Sequence, residues 1–205
     1  MHNNEFKLFL HKFMRFICIF SPILFWISLI FSFDSPQIAT LTIIAIAIHE
    51  VGHIATIFLF GEKIEGFRAV LSGLRIRNST ASYGEEFTVY LAGPLANAIA
   101  ALLGRIILPD VYASAFITVN TATCISNLLP IEGYDGYGLL RCALTHREQT
   151  RFAYALLDAV SMFFTATLLV LSLYLLDRYG EGYWLFFMFF FSTLKKISQK
   201  DGLSA

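Results

Sequence analysis

Residues 38–60 read IATLTIIAIAIHEVGHIATIFLF, an apolar run that carries His49-Glu50-Val51-Gly52-His53 at its middle. A run of this length predicts a helix that crosses a bilayer. On that helix His49 and His53 lie four residues apart and project from one face. Glu50, about 100° round from His49, stands near the edge of the same face. This H-E-x-x-H pattern lets two imidazoles hold one Zn²⁺ while the carboxylate reaches the open coordination position. The plainer interpretation is a hydrogen-bonded His/Glu cluster in a core. Three ionisable groups inside an apolar span are costly, however, and such groups are usually functional.

The rest of the composition agrees with a membrane setting. Hydrophobic residues make up 57% of the 205 residues, with 21 Phe, and the mean hydropathy is +0.65. A soluble domain of this size has too little interior to hide that much apolar surface, so the expected class is an all-α polytopic membrane protein. The formal net charge is zero and no basic, aromatic-interleaved patch is present, which gives no footing for a nucleic-acid partner. Cys18, Cys124 and Cys142 are scattered, form no C-x-x-C, and read as small buried hydrophobes. The first apolar run is too long for a signal-peptide core and is expected to be retained.

Taken in order, residues 1–15 form a basic segment with the character of an interfacial helix, and 16–33 a first uncharged span. Residues 38–60 are the second span. Residues 61–86 turn basic and glycine-bearing, and alternate apolar with polar at Phe67, Ala69 and Leu71 and again at Leu74-Arg75-Ile76-Arg77. That period predicts a β-hairpin turning near Ser72-Gly73. Residues 87–108 are a third span opening on Ala92-Gly93-Pro94-Leu95-Ala96-Asn97, where small side chains allow close helix approach and Asn97 can bond across helices. Residues 111–129 are a fourth. Pro130, Gly133 and Gly136 then predict a break, with the helix resuming toward Leu144. Residues 152–176 are a fifth span and 183–194 a short sixth. The expected architecture is therefore about six transmembrane helices, a three-helix core over about 38–144, and a small hairpin between the second and third helices, all in one domain over 1–205. With six spans, 13 of the 15 Lys and Arg fall on one side, leaving Arg105 and Arg178 on the other. This predicts that both termini are cytoplasmic.

A catalytic zinc site uses three protein ligands. No third His is well placed, because His2, His11 and His146 fall in tails or loops. The carboxylate candidates are Asp135, Glu132, Asp158 and Asp110. Asp110 belongs on the far side of the membrane, and Asp135 sits in the broken segment with Gly136 to let it bend.

The chain at this point resembles the site-2 protease family of intramembrane zinc metalloproteases. The resemblance rests on His49-Glu50-Val51-Gly52-His53, on Gly93-Pro94-Leu95-Ala96-Asn97, and on Asn127-Leu128-Leu129-Pro130 with Asp135-Gly136, in that order and register. It covers about 38–144. It implies that His49, His53 and Asp135 hold one Zn²⁺ per chain, that Glu50 is the catalytic carboxylate, and that Asn127 contacts substrate near the scissile carbonyl. The hairpin would help receive substrate as an added strand. The implied reaction is hydrolysis of a peptide bond in or near a transmembrane segment of a membrane-protein substrate. The chain departs from the family in having Gly133-Tyr134 before Asp135-Gly136, where Pro-Leu is usual, and in having Glu132 beside them as a rival ligand. No PDZ-like insertion or C-terminal CBS domain is read. The chain is most similar to the compact subgroup that contains stage IV sporulation protein FB, which implies a bacterial cell membrane. Two other readings use the same residues. One is a catalytically inactive relative that binds membrane partners. The other is a metal-handling transporter, which would call for inverted repeats that the sequence does not display.

Overall fold

The computed structural model describes residues 35–61, 64–70, 73–78, 82–145 and 150–179, with 189, 190 and 193. The first helix, α1, is Pro36–Leu59. Ser35 caps it, its hydroxyl accepting from the Ile38 N–H at 3.4 Å, and Pro36 takes the first helical position, where a missing N–H costs nothing. Its 24 residues span about 36 Å, enough for the ~30 Å hydrocarbon core. Gly61, at φ 70°, ends it.

Two strands follow, β1 (Ile64–Val70) and β2 (Gly73–Asn78), paired antiparallel from Val70↔Gly73 out to Ile64↔Asn78 with a register shift between Ile64 and Gly66. Helix α2 (Tyr83–Ile107) opens on a capping box, in which the Ser82 N–H donates to Glu85 Oε2 at 2.7 Å and the Ser82 hydroxyl accepts from the Glu85 N–H. Helix α3 (Asp110–Asn127) begins directly after Pro109. Helix α4 (Asp135–Thr145) and the long α5 (Arg151–Tyr179) complete the described elements.

Helix α2 is the centre of the packing, with α1, α3 and α4 against it and α5 against α4. The α1–α2 contact is close because Gly52 has no side chain. A Cβ there would stand 2.6 Å from the Ala92 carbonyl oxygen. Between α3 and α4 the helix breaks over 128–134, where Pro130 cannot donate and Gly133 takes φ 102°. The broken backbone finds partners locally. The Ile131 N–H donates to Leu129 O and the Tyr134 N–H to Ile131 O, while the Glu132 N–H reaches the Ser161 hydroxyl on α5.

Among the described residues, polar side chains lie in the interior and large apolar ones on the surface. His49, His53, Asn97, Asn120, Ser161, Thr165 and Ser172 are buried, while Phe58, Leu102, Ile106, Phe163 and Val170 are exposed. This inverts the pattern of a soluble domain and is the pattern expected when lipid is the solvent.

The expected all-α class with about six transmembrane helices is corrected by this structure. Among the described residues there are five helices, and three are long and apolar enough to cross a membrane: Pro36–Leu59, Tyr83–Ile107 and Arg151–Arg178. The expected fourth span corresponds to α3, only 18 residues long and interrupted by Ser114, Thr118, Asn120, Thr121, Thr123 and Ser126, which lower its hydropathy. The expected first span and most of the sixth lie outside the described residues.

Candidate metal centre

His49 and His53 stand one turn apart on the buried face of α1, their rings nearly perpendicular at 84°. Asp135 is the first residue of α4, set there by the break that precedes it. The three side chains converge. His49 Nε2 lies 2.9 Å from Asp135 Oδ2, His53 Nε2 lies 3.2 Å from the same oxygen, and the two Nε2 atoms are 3.1 Å apart. The edges of this triangle are close to the ~3.3 Å ligand separation that tetrahedral bonds of ~2.0–2.1 Å produce.

The other ring nitrogens decide what the triangle contains. His53 Nδ1 faces the Val89 carbonyl oxygen at 2.7 Å, and a carbonyl only accepts, so Nδ1 carries the proton. His49 Nδ1 faces Asn97 Oδ1 at 2.8 Å. The Asn97 amide nitrogen is already donating to Ala45 O at 2.9 Å, which turns Oδ1 toward the imidazole and makes His49 Nδ1 a donor as well. Both neutral rings therefore present bare Nε2 lone pairs to a carboxylate oxygen. With both rings neutral, the contacts of the triangle are lone pair against lone pair. Among the described residues, Asp135 Oδ2 and Glu50 Oε2 are the buried side-chain oxygens with no hydrogen-bond partner. Three converging electron-pair donors with no hydrogen between them fit a divalent cation, and two imidazoles with one carboxylate suit zinc with a position left open.

Helix α2 supplies the floor. A Cβ on Gly93 would stand 2.6 Å from His53 Cε1 and 2.7 Å from His49 Cε1, so only glycine fits beneath the two rings. Pro94 stands inside the same helix and carries no N–H, and one turn earlier the Val89 carbonyl meets His53.

The remaining sequence candidates stand apart from this group. Asn127 is half-buried at the end of α3, its amide donating to Thr123 O at 3.0 Å. Glu132 is held through its backbone by Ser161, and its carboxylate does not join the described ligand group. Asp158 accepts from the Tyr137 hydroxyl at 3.4 Å, and exposed Asp110 lies 3.7 Å from Arg105. Sequence reasoning did not single out Asn120, although an Asn within an apolar stretch is a signal. It had no means of finding the Val89 carbonyl, because backbone acceptors leave no mark in a sequence.

No protein-family model matches the chain, and no curated protein matches it by sequence. In structure it is similar to the Site-2 Protease from Methanocaldococcus jannaschii, with a TM-score of 0.62 over 87% of each chain at 19% identity. At that identity the likeness is one of fold.

Proposed function

We propose that this chain is an intramembrane zinc metalloprotease that cleaves a peptide bond in or near a transmembrane segment of a membrane-protein substrate. The observation that carries the reading is the convergence of His49, His53 and Asp135 beside a carboxylate, Glu50, whose Oε2 has no partner. The fold shared with a site-2 protease supports it. His49, His53 and Asp135 are the ligands in this reading. Zn²⁺, when bound, supplies a Lewis acid that polarises the scissile carbonyl and acidifies a water toward a pKa of ~7. Glu50 is the general base, taking a proton from the attacking water at its free carboxylate oxygen and delivering it to the leaving amine. The Asn97 and Val89 oxygens hold the two imidazoles in the tautomer that leaves Nε2 free. Asn127 contacts the substrate backbone near the cleavage point. The apolar exterior keeps bulk water from the reacting groups.

The protease is a single domain in this reading, with both termini in the cytoplasm of a bacterial cell. The support is in the sequence, where Arg141, Arg147 and Arg151 fall within eleven residues and Lys63, Arg68, Arg75 and Arg77 lie between α1 and α2.

The test is cleavage of a tethered model substrate in a bacterial membrane, with zinc content measured alongside. Glu50→Gln should lose about 10²–10⁴-fold in rate while keeping its zinc. Asp135→Asn should lose both. A fully active Glu50→Gln would sink the proposal.

A further inference from the structure

The environment of His49 continues past Asn97. Asn97 Nδ2 donates one hydrogen to Ala45 O at 2.9 Å and the other to Asn120 Oδ1 at 3.0 Å. Asn120 Nδ2 donates in turn to Phe116 O at 3.0 Å, on its own helix α3. Both amides are fully buried, at 0% exposure. Their orientations are not interchangeable. Ala45 O and Phe116 O can only accept, so each faces an amide nitrogen, and each amide oxygen must face the other way. The bonds therefore form a one-way series. His49 Nδ1–H donates to Asn97, Asn97 N–H donates to Asn120, and Asn120 N–H donates to a backbone carbonyl. Every proton points away from the triangle. Such series polarise cooperatively, and a donating Nδ1–H makes the opposite ring nitrogen a better electron-pair donor. His53 has no such side-chain relay, since its Nδ1 rests on a backbone carbonyl.

We propose that Asn120 is a positioning residue for the metal centre: beside Ala45 O it gives the Asn97 amide a second anchor, and through Asn97 it raises the ligand strength of His49, coupling α3 to a ligand on α1. The zinc arm of the test rests on the metalloprotease reading; the tautomer arm does not.

The experiment compares the full chain in detergent with Asn120→Asp and Asn120→Leu. Asp keeps an oxygen to accept from Asn97 in either protonation state. Leu fills the volume but strands the second Asn97 N–H. The first readout is the protonation of the His49 ring nitrogens in zinc-free protein, by nitrogen NMR with His49→Gln for assignment. The second is Zn²⁺ affinity by competition with a chelator. Native protein and Asn120→Asp should both hold the Nδ1–H tautomer and bind zinc within a few-fold of each other. Asn120→Leu leaves Ala45 O alone to orient Asn97, so it should admit the other tautomer in part and bind zinc about 10–100-fold more weakly. Native tautomer and native affinity in Asn120→Leu would overturn the proposal, as would equal losses in Asn120→Asp and Asn120→Leu. If Asn120→Leu does not fold, Asn120→Ala makes the same comparison, with the same outcomes for and against. A native chain that holds the Nδ1–H tautomer but binds no zinc would overturn the metalloprotease reading and leave the relay standing.

Discussion

At the scale of single residues, the H-E-x-x-H spacing was enough to place His49 and His53 together, because an α-helix fixes what four residues mean in space. The carboxylate was harder. Asp135, Glu132, Asp158 and Asp110 were all candidates by residue type, and only the path of the chain through the 128–134 break separates them. Gly93 shows the limit most clearly. It was read as one of several small residues that allow close approach, whereas the structure sets it under both imidazoles. Gly93→Ala should therefore displace the rings and lower Zn²⁺ affinity by at least tenfold, measured by chelator competition, while Ala96→Gly nearby should not. A second prediction concerns Cys142 on α4. Burial and the Glu86 carboxylate, whose Oε2 lies 3.7 Å from Sγ, push its thiol up to about 11. At pH 8 the group stays protonated in the folded protein and should resist alkylation. Labelling should rise only as the pH approaches 11, or on denaturation at lower pH. Rapid labelling at pH 8 in the folded state would contradict this.

Among elements, the decisive one is α4, because it carries Asp135 at its first residue. Its far end is fastened to the start of α2. Arg141 pairs with Glu86 and stacks over the Tyr90 ring at 5.9 Å, and Gly138 leaves room for that same ring, whose Cε1 a Cβ would meet at 2.5 Å. The pair is about one-third exposed, so it contributes about 1 kcal/mol at most. Arg141→Ala should lower the unfolding midpoint in detergent by about 2–4 °C, and Glu86→Gln should add little once Arg141 is gone. Fully additive losses would show that the two side chains do not act as a pair. The break before α4 was legible, since Pro130 and two glycines announce it. The Glu86–Arg141 pair was not, because the partners are 55 residues apart and nothing local links them. Helix α3 misled for a different reason. Its apolar residues stand out in the sequence, while Thr123 and Ser126 between them satisfy themselves on their own helix, on Val119 O and Thr123 O. Such residues make a helix that packs among neighbours without meeting the hydropathy of a lipid-facing span.

For the whole molecule, composition alone identified the solvent, and the inverted burial pattern is its structural counterpart. Ala153, Leu157, Ser161, Thr165 and Ser172 form the inner stripe of α5, and Phe163 and Val170, each 66% exposed, lie on its outer face. Phe163→Arg should cost about 2.5–3.5 kcal/mol of membrane insertion, read as protein lost from the membrane fraction. Ser161→Ala should leave insertion unchanged. The number of spans was less legible, because a hydropathy window counts apolar residues without knowing which face them. The break between α3 and α4 has a further consequence, in time. His49 and His53 leave the ribosome before Asp135, which follows His53 by 82 residues. At about 5–20 residues per second that interval is roughly 4–16 s. Throughout it the nascent chain carries two donors and lacks the third, so the centre cannot close until α2 and α3 have been made. In the metalloprotease reading, synthesis order alone thus keeps the growing protein from acting on whatever else is passing through the same insertion machinery.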